Sequence, residues 1–348
     1  VIAGNELDIR RLRRDYGDMR AEARSCRSAA ALFDFSFMRR IIIRGPGAEA
    51  LVQALTPRPV ADLAPGRIRY ALHLDAGGRV LSDITIWRLD AETFEVFAGA
   101  GGILANLQAA AGAATSVQDV SEETAIFAVQ GPRSLRALAR LTSATALGRL
   151  PYFAHAQVSI AGMSCQIGRL GYTGERGFEI VLPHRARERL WALLAEEARP
   201  AGFAAADILR IEAGFALFTN EFLFPVSPAD LGLERFAASS PRTRAIRLIS
   251  FQAHCDVDPV LWRPQQNAPF PPAPGMLVVT SACRSIVNGE VLGLGFACDG
   301  ASHLVDPSGN FRAIRQVALP FYDPQKGRPR GEWHKNLLPA GAAYSFER

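Results

Sequence analysis

Lysine is almost missing from this sequence. Of its 39 basic residues, all but Lys326 and Lys335 are arginines, against 34 acidic residues and a net charge of +5. The arginine excess, with abundant alanine, reads as genome composition, and the modest basic balance suits an acidic small molecule or partner. A nucleic-acid binder would need a basic stripe interleaved with aromatics. The dense cluster Arg10, Arg11, Arg13 and Arg14 falls at helical spacing and reads as a solvated face, so no nucleic acid is expected. No run approaches the roughly 18 apolar residues of a membrane-spanning helix, so no membrane is expected either. The opening Val1-Ile2-Ala3-Gly4-Asn5-Glu6 lacks the basic start and apolar stretch of a secretion signal, and the missing Met reads as a trimmed or partial N-terminus. Cysteine is scarce: Cys26, Cys165, Cys255, Cys283 and Cys298 are odd in number and none are spaced as a metal or redox pair. They read as reduced core thiols of a cytoplasmic protein. The six histidines, His73, His155, His184, His254, His303 and His334, show no metal-ligand spacing and no legible Ser-His-Asp pattern, so no metal is expected.

What is present is enough apolar residue for a real core. The 348 residues are 49% hydrophobic and 21% charged, which bounds the chain at two or three domains. Periodicity predicts a helix over 6–31, then strand character from Ala31 to Arg44 through Phe33, Phe35, Phe37 and Ile41-Ile42-Ile43. A short helix follows over Ala48 to Leu55. Strands are predicted over Arg69 to Leu74 and Val80 to Leu89, joined by the Asp75-Ala76-Gly77-Gly78 turn. Further strands are predicted over Thr93 to Ala98, Thr124 to Val129, Gln157 to Ile160, Ser164 to Arg169 and Phe178 to Leu182. Helices are predicted over Ile103 to Ala111, Arg185 to Ala198 and Asp207 to Phe215. Residues 237–275 are rich in proline and read as an irregular connection. Met276 to Val279, Glu290 to Ala297 and Ala313 to Leu319 then form a small all-β unit. The mix of hairpins and helices argues α+β with antiparallel sheets.

Two glycine motifs are weak. Gly45-Pro-Gly47-Ala-Glu-Ala50 fits G-x-G-x-x-A, but no second parallel strand follows soon, so it reads as a turn. Gly99-Ala100-Gly101-Gly102 lies between a strand and a helix; it is a plain turn or, at Gly102, a place where backbone N–H groups meet a ligand.

The most informative stretch is Arg169-Leu170-Gly171-Tyr172-Thr173-Gly174-Glu175-Arg176-Gly177-Phe178-Glu179-Ile180, a strand, a glycine-rich turn and a strand. Glycine permits positive φ and close approach. Tyr172 has the flat face to stack on a ring. Glu179 points away from Phe178 and Ile180 and is either a plain solvated strand residue or a carboxylate for a paired N–H edge. This stretch resembles the R-T-G-Y-T-G-E-D-G-F-E-I signature of the glycine cleavage system T protein family, departing at Leu170 and Arg176. Ala31-Leu-Phe-Asp-Phe-Ser-Phe-Met38 resembles the family's G-L-F-D-V-S-H-M, and Gly77-Gly-Arg-Val-Leu-Ser-Asp83 its G-G-V-L-D-D. Ala128-Val-Gln-Gly-Pro132 and Leu209-Arg-Ile-Glu-Ala-Gly214 resemble A-L-Q-G-P and L-R-L-E-A-G, and Thr280-Ser281 and Leu319-Pro-Phe-Tyr322 look like its C-terminal landmarks.

The resemblance implies a three-domain cloverleaf around tetrahydrofolate, with a small C-terminal β-barrel or jelly-roll domain. It places a discontinuous first domain at 1–55 and 130–236, a second, ferredoxin-like domain at 56–129, the connection at 237–275 and the β domain at 276–348. It implies Asp83 as the catalytic carboxylate, with Tyr70, Tyr172, Glu179 and Arg210 contacting tetrahydrofolate or another reduced pterin. The reaction implied is aminomethyl or methyl transfer, with a lipoyl carrier protein or a methylated small-molecule donor supplying the carbon. The alternative is a non-catalytic folate-binding protein related to iron–sulphur cluster maintenance, though that branch's K-G-C-Y-x-G-Q-E motif is absent. The sequence departs from the family where Ala98-Gly99-Ala100-Gly101 replaces an N-A-S-N-like segment, where Phe37, Arg39 and Ser82 replace a histidine, a glycine and an aspartate, and at Ser239-Ser240-Pro241. These departures imply a divergent paralogue.

Overall fold

Three sheets carry the computed structural model of the chain, which describes residues 7–99, 102–237, 246–254, 258–264, 270–298, 301–306 and 309–332. The chain begins with α1 (Met19–Ser28), β1 (Ala31–Asp34), β2 (Arg39–Arg44) and α2 (Ala48–Gln53). The hairpin strands β3 (Ile68–Leu74), β4 (Val80–Arg88) and β5 (Thr93–Ala98) precede α3 (Ile103–Ala110) and β6 (Ser116–Asp119). Next come β7 (Thr124–Gln130), α4 (Ser134–Leu138), α5 (Ala144–Arg149), β8 (His155–Ile160), β9 (Met163–Gly168) and β10 (Gly177–Pro183). Helix α6 (Arg187–Ala195), β11 (Arg199–Pro200) and α7 (Phe203–Glu212) close this part. The rest is β12 (Arg247–Ala253), β13 (Leu277–Arg284), β14 (Val291–Ala297), β15 (His303–Val305), β16 (Phe311–Gln316) and a last turn of helix, α8 (Gly327–Arg330).

The first sheet runs β11-β1-β7-β10-β9-β8, the second β3-β4-β5-β2-β6 and the third β13-β14-β12-β16-β15. Every pairing is antiparallel except β1 with the two-residue β11. The fold is therefore the α+β arrangement of antiparallel sheets expected, with the third sheet curled into a half-barrel near the C-terminus. Helix α7 is buried along its whole length and packs on α1 and β13, so it lies between the first and third sheets. Its Ala204, Ala205 and Ala206 let neighbouring backbones come close. No helix among the described residues is long and apolar enough to cross a membrane.

The β3–β4 hairpin forms for the reason its sequence announces. Asp75 Oδ1 accepts from the backbone N–H groups of Gly77 and Arg79, both at 2.9 Å, and Gly78 takes φ +79°. Along β4, Val80, Ser82, Ile84 and Ile86 are buried, while Leu81, Asp83 and Thr85 alternate onto the other face.

Several elements differ from their predicted bounds. The predicted helix over 6–31 is a 3₁₀ turn at Ile9–Arg11 and then α1, because Gly17 takes φ +125° and the Asp18 carboxylate caps α1 by accepting from the N–H groups of Arg20 and Ala21. The strand read from Ala31 to Arg44 is two strands in different sheets. Between them Asp34 Oδ1 accepts from Ser36 N at 3.0 Å and Phe35 O from Met38 N at 3.0 Å, turning the chain. Strands β2 and β7 each lie across the expected boundaries: β2 pairs in the second sheet, and all but the last residue of β7 falls in the span given to the second domain although it pairs in the middle of the first sheet. Within the span read as an irregular connection, Arg247–Ala253 is a full strand at the centre of the third sheet, its alternation masked by the prolines around it. Cys255, Ala100, Gly101, His334 and Ser239-Ser240-Pro241 lie outside the described residues.

Candidate functional site

Register places two of the expected residues together before any side chain is considered. Tyr70 pairs with Thr85 and Leu72 with Asp83, so Tyr70 and Asp83 are diagonal neighbours on one face of the β3–β4 hairpin. Asp83 keeps part of its surface open, yet enough protein surrounds it for burial to push its carboxyl up to about 6. The Tyr70 hydroxyl directed at it works the other way, and the charge of Glu221 adds to the rise. Tyr172 closes the group from the first sheet. Its hydroxyl donates to the carbonyl of Ala216, its ring lies 5.8 Å from that of Phe215, nearly parallel, and it lies within the electrostatic reach of Asp83. Burial holds both tyrosines protonated, well above the ordinary phenol range.

Glu179 stands on β10 opposite Ala128 of β7 and Gly168 of β9. It is only 8% exposed and no hydrogen bond from a described residue reaches its carboxyl. Burial alone raises its pKa to about 7. A buried carboxyl without a protein partner is costly unless something else supplies donors. The glycine-rich turn between β9 and β10 has another explanation than ligand approach. A Cβ on Gly171 or Gly177 would run into the Gln130 carboxamide, which donates to Leu170 O at 3.2 Å and accepts from Thr173 Oγ1 at 3.0 Å. Those two glycines make room for Gln130.

Arg210 is brought to the same region but faces inward. Its guanidinium donates to Asp207 Oδ1 at 2.7 and 2.9 Å, to Phe215 O at 3.1 Å and to Ser281 Oγ at 2.7 Å, and lies 3.6 Å from Glu221. With its donors so engaged it touches Tyr172 electrostatically and supports the backbone beneath it. Gly102, φ +89°, caps α3 with open space around its α-carbon. Gly99, earlier in that turn, has the Phe218 ring packed where a Cβ would stand.

Two groups escaped the sequence reading. Glu221 sits fully buried between the polar Thr219-Asn220 and the apolar Phe222-Leu223-Phe224, and polar residues set among phenylalanines are the signal that they have buried partners. Arg27, also buried, reaches Glu212 at 2.9 Å, Glu175 at 3.2 Å and the carbonyl of Thr173 at 2.7 Å, with its guanidinium 3.8 Å from the Tyr322 ring centre. Tyr322 in turn donates to Glu175 at 2.6 Å, so the Glu175 of the signature stretch is an internal anchor. A separate cleft of about 420 Å³, edged by Arg133, Arg136, Arg140 and Arg199, shares none of these residues.

Residues 13–240 match the family model described as the GCVT N-terminal domain. An aminomethyltransferase of Streptomyces avermitilis is 34% identical, the match covering 93% of this chain and 94% of that protein. One of Streptomyces coelicolor is 32% identical over the same shares. Among solved structures, the glycine cleavage system aminomethyltransferase T from Bartonella henselae superposes with a TM-score of 0.71 at 23% identity, over 88% of this chain and 90% of that one, and so shares the fold.

Proposed function

The chain belongs to the glycine cleavage T-protein (GCVT) family, and on that premise we propose that it transfers a one-carbon unit to tetrahydrofolate, with Asp83 as the catalytic carboxylate. The observation that carries this reading is the β3–β4 register that sets Asp83 diagonally beside Tyr70, where burial pushes its carboxyl up to about 6, with Tyr172 within reach of its charge. The residues fit the ligand on a second count, since the Glu179 carboxyl, which has no hydrogen-bond partner among the described residues, can accept the paired N–H groups of a pterin's amino edge. Tyr70 and Tyr172 would wall the flat ring. Arg210 would act one step removed, by fixing the Phe215 backbone against which Tyr172 lies.

When bound, tetrahydrofolate supplies the amine nitrogen that takes up the carbon unit. Asp83, ionised above about pH 6, would orient that amine, take its proton as the new nitrogen–carbon bond forms and the donor's bond to that carbon breaks, the donor's heteroatom leaving with the electron pair, and offset developing positive charge. Holding donor and acceptor together supplies the proximity contribution. The carbon donor would be an aminomethyl group on a lipoyl carrier or a methylated small molecule.

Calorimetric titration with tetrahydrofolate tests the site: binding should weaken at least about tenfold in Glu179→Ala. Turnover with a panel of donors tests the chemistry: Asp83→Asn should lose on the order of 10²-fold or more in kcat. The wild-type kcat/KM should climb through an acid limb centred near pH 6, and a flat profile from pH 5 to 7.5 would remove Asp83 from the proton transfer. A second reading, a pterin binder without turnover, draws on the apolar Gly99–Phe218 contact in the segment where the resembling family is polar. Tight binding with no turnover on any donor would decide for it.

A further inference from the structure

Glu221 stands where the third sheet, helix α7 and the second sheet come together. Its Oε1 accepts from Thr280 Oγ1 at 2.5 Å and from Ser281 Oγ at 2.7 Å, both on β13 of the third sheet. Its Oε2 accepts from the Leu217 N–H at 2.7 Å and lies 3.6 Å from Arg210 of α7, the helix between the first and third sheets. The short 3₁₀ turn Glu221–Leu223 that bears it packs on β4 of the second sheet, the strand that carries Asp83. Just beyond, Val226 O accepts from Val80 N at 2.9 Å, clamping the same crossing to the start of β4. Asn220 beside it donates to Trp262 O at 2.7 Å and Thr280 O at 2.8 Å. The segment 217–226 is thus tied to β13, α7, β4 and Trp262 through buried and partly buried hydrogen bonds.

We infer that Glu221 is a positioning residue for the one-carbon transfer, locking the 217–226 crossing against β4, which carries Asp83, and beside Ala216, which holds the Tyr172 hydroxyl, while its negative charge acts on Asp83. The inference rests on the reading of Asp83 as the reacting carboxylate. The groups that face Asp83 are few. Tyr70 comes from β3, Tyr172 from the turn after β9 and Glu221 from the crossing. Arg210 and Arg235 act on Tyr172 and Tyr70, not directly on Asp83. Of these, Glu221 is the group whose charge favours a proton on Asp83, whereas the Tyr70 hydroxyl favours its ionised form. The hydroxyls of Thr280 and Ser281 and the Arg210 cation partly offset the Glu221 charge. Removing the carboxylate therefore lowers Asp83's proton affinity, and removing one of the groups that offset it raises it.

The full-length chain labelled with carboxyl-¹³C aspartate gives the readout, with Asp83→Asn identifying the Asp83 resonance. In Glu221→Gln the Asp83 midpoint should fall by about half a pH unit or more. In Ser281→Ala, which keeps the Glu221 charge but removes a donor, it should rise by a smaller step. A role in folding alone moves neither, so midpoints that stay in place, or shift in the same direction, overturn the inference. Should Glu221→Gln not fold, Ser281→Ala decides by itself: a rise supports it and an unmoved midpoint overturns it. The titration needs no substrate. If the wild type neither binds nor turns over tetrahydrofolate, the proposed function falls while the fate of Glu221 is still read from the carboxyl.

Discussion

At the scale of the residue, the proposed chemistry rests on three carboxylates in three kinds of surroundings. Asp83 has a phenol and a distant charge, Glu221 has hydroxyls and a cation, and Glu179 has no hydrogen-bond partner among the described residues. The last makes a prediction about stability. A folded pKa of about 7 lies above the ordinary value of 4.5, so the folded state binds this proton more tightly than the unfolded chain. Its contribution is favourable at acid pH and is lost as pH rises from about 4.5 to about 7. Glu179→Gln carries no such proton. In urea unfolding the variant should gain on the wild type by about 3 kcal/mol between pH 4.5 and 8. A difference independent of pH would mean that Glu179 has a partner in solution. Asp83, Tyr172 and Glu179 stand out in the sequence because each sits in a stretch that resembles a family motif, and Tyr70 by its position alone. The inward turn of Arg210 was not, since it depends on Asp207 one helical turn earlier and on Ser281 far along the chain.

At the scale of the element, local chemistry fixed what it could. The Asp75 turn, the β4 alternation and α3 all follow from neighbours in sequence. The central strand β12 does not, because a strand among prolines is settled by pairing at a distance. The join of α1 to α7 is also a distant affair, carried by Arg27. Both of its carboxylate partners, Glu175 and Glu212, are fully buried. Removing the cation from such a group leaves charges without compensation. Arg27→Met should therefore destabilise the protein by about 3–5 kcal/mol in urea unfolding. A loss below about 1 kcal/mol would show that the packing of Met19 to Ser28, not the ion pairs, holds α1.

At the scale of the whole molecule, buried polar ties cross every sheet boundary. Arg27 and Tyr322 join the first sheet's signature turn to the chain's later part, and Glu221 joins α7 to β13 from a turn that packs on β4. No sheet can then open without exposing charge held by another. Unfolding should be a single transition, with the far-UV circular dichroism and the fluorescence of Trp87 and Trp191 changing at the same denaturant concentration. Trp87 reports the second sheet and Trp191 a helix on the first, so two separate midpoints would show that the ties are too weak to couple them.

The path of the chain through the first two sheets has one more consequence. It leaves β1 at Asp34, builds the whole second sheet, and returns along β7 with Phe127 as Asp34's register partner. The second sheet is thus an insertion whose two stems lie side by side. On a ribosome it emerges complete while β1 still waits for its neighbour, so Tyr70 and Asp83 find each other before the strand carrying Glu179 has been synthesised.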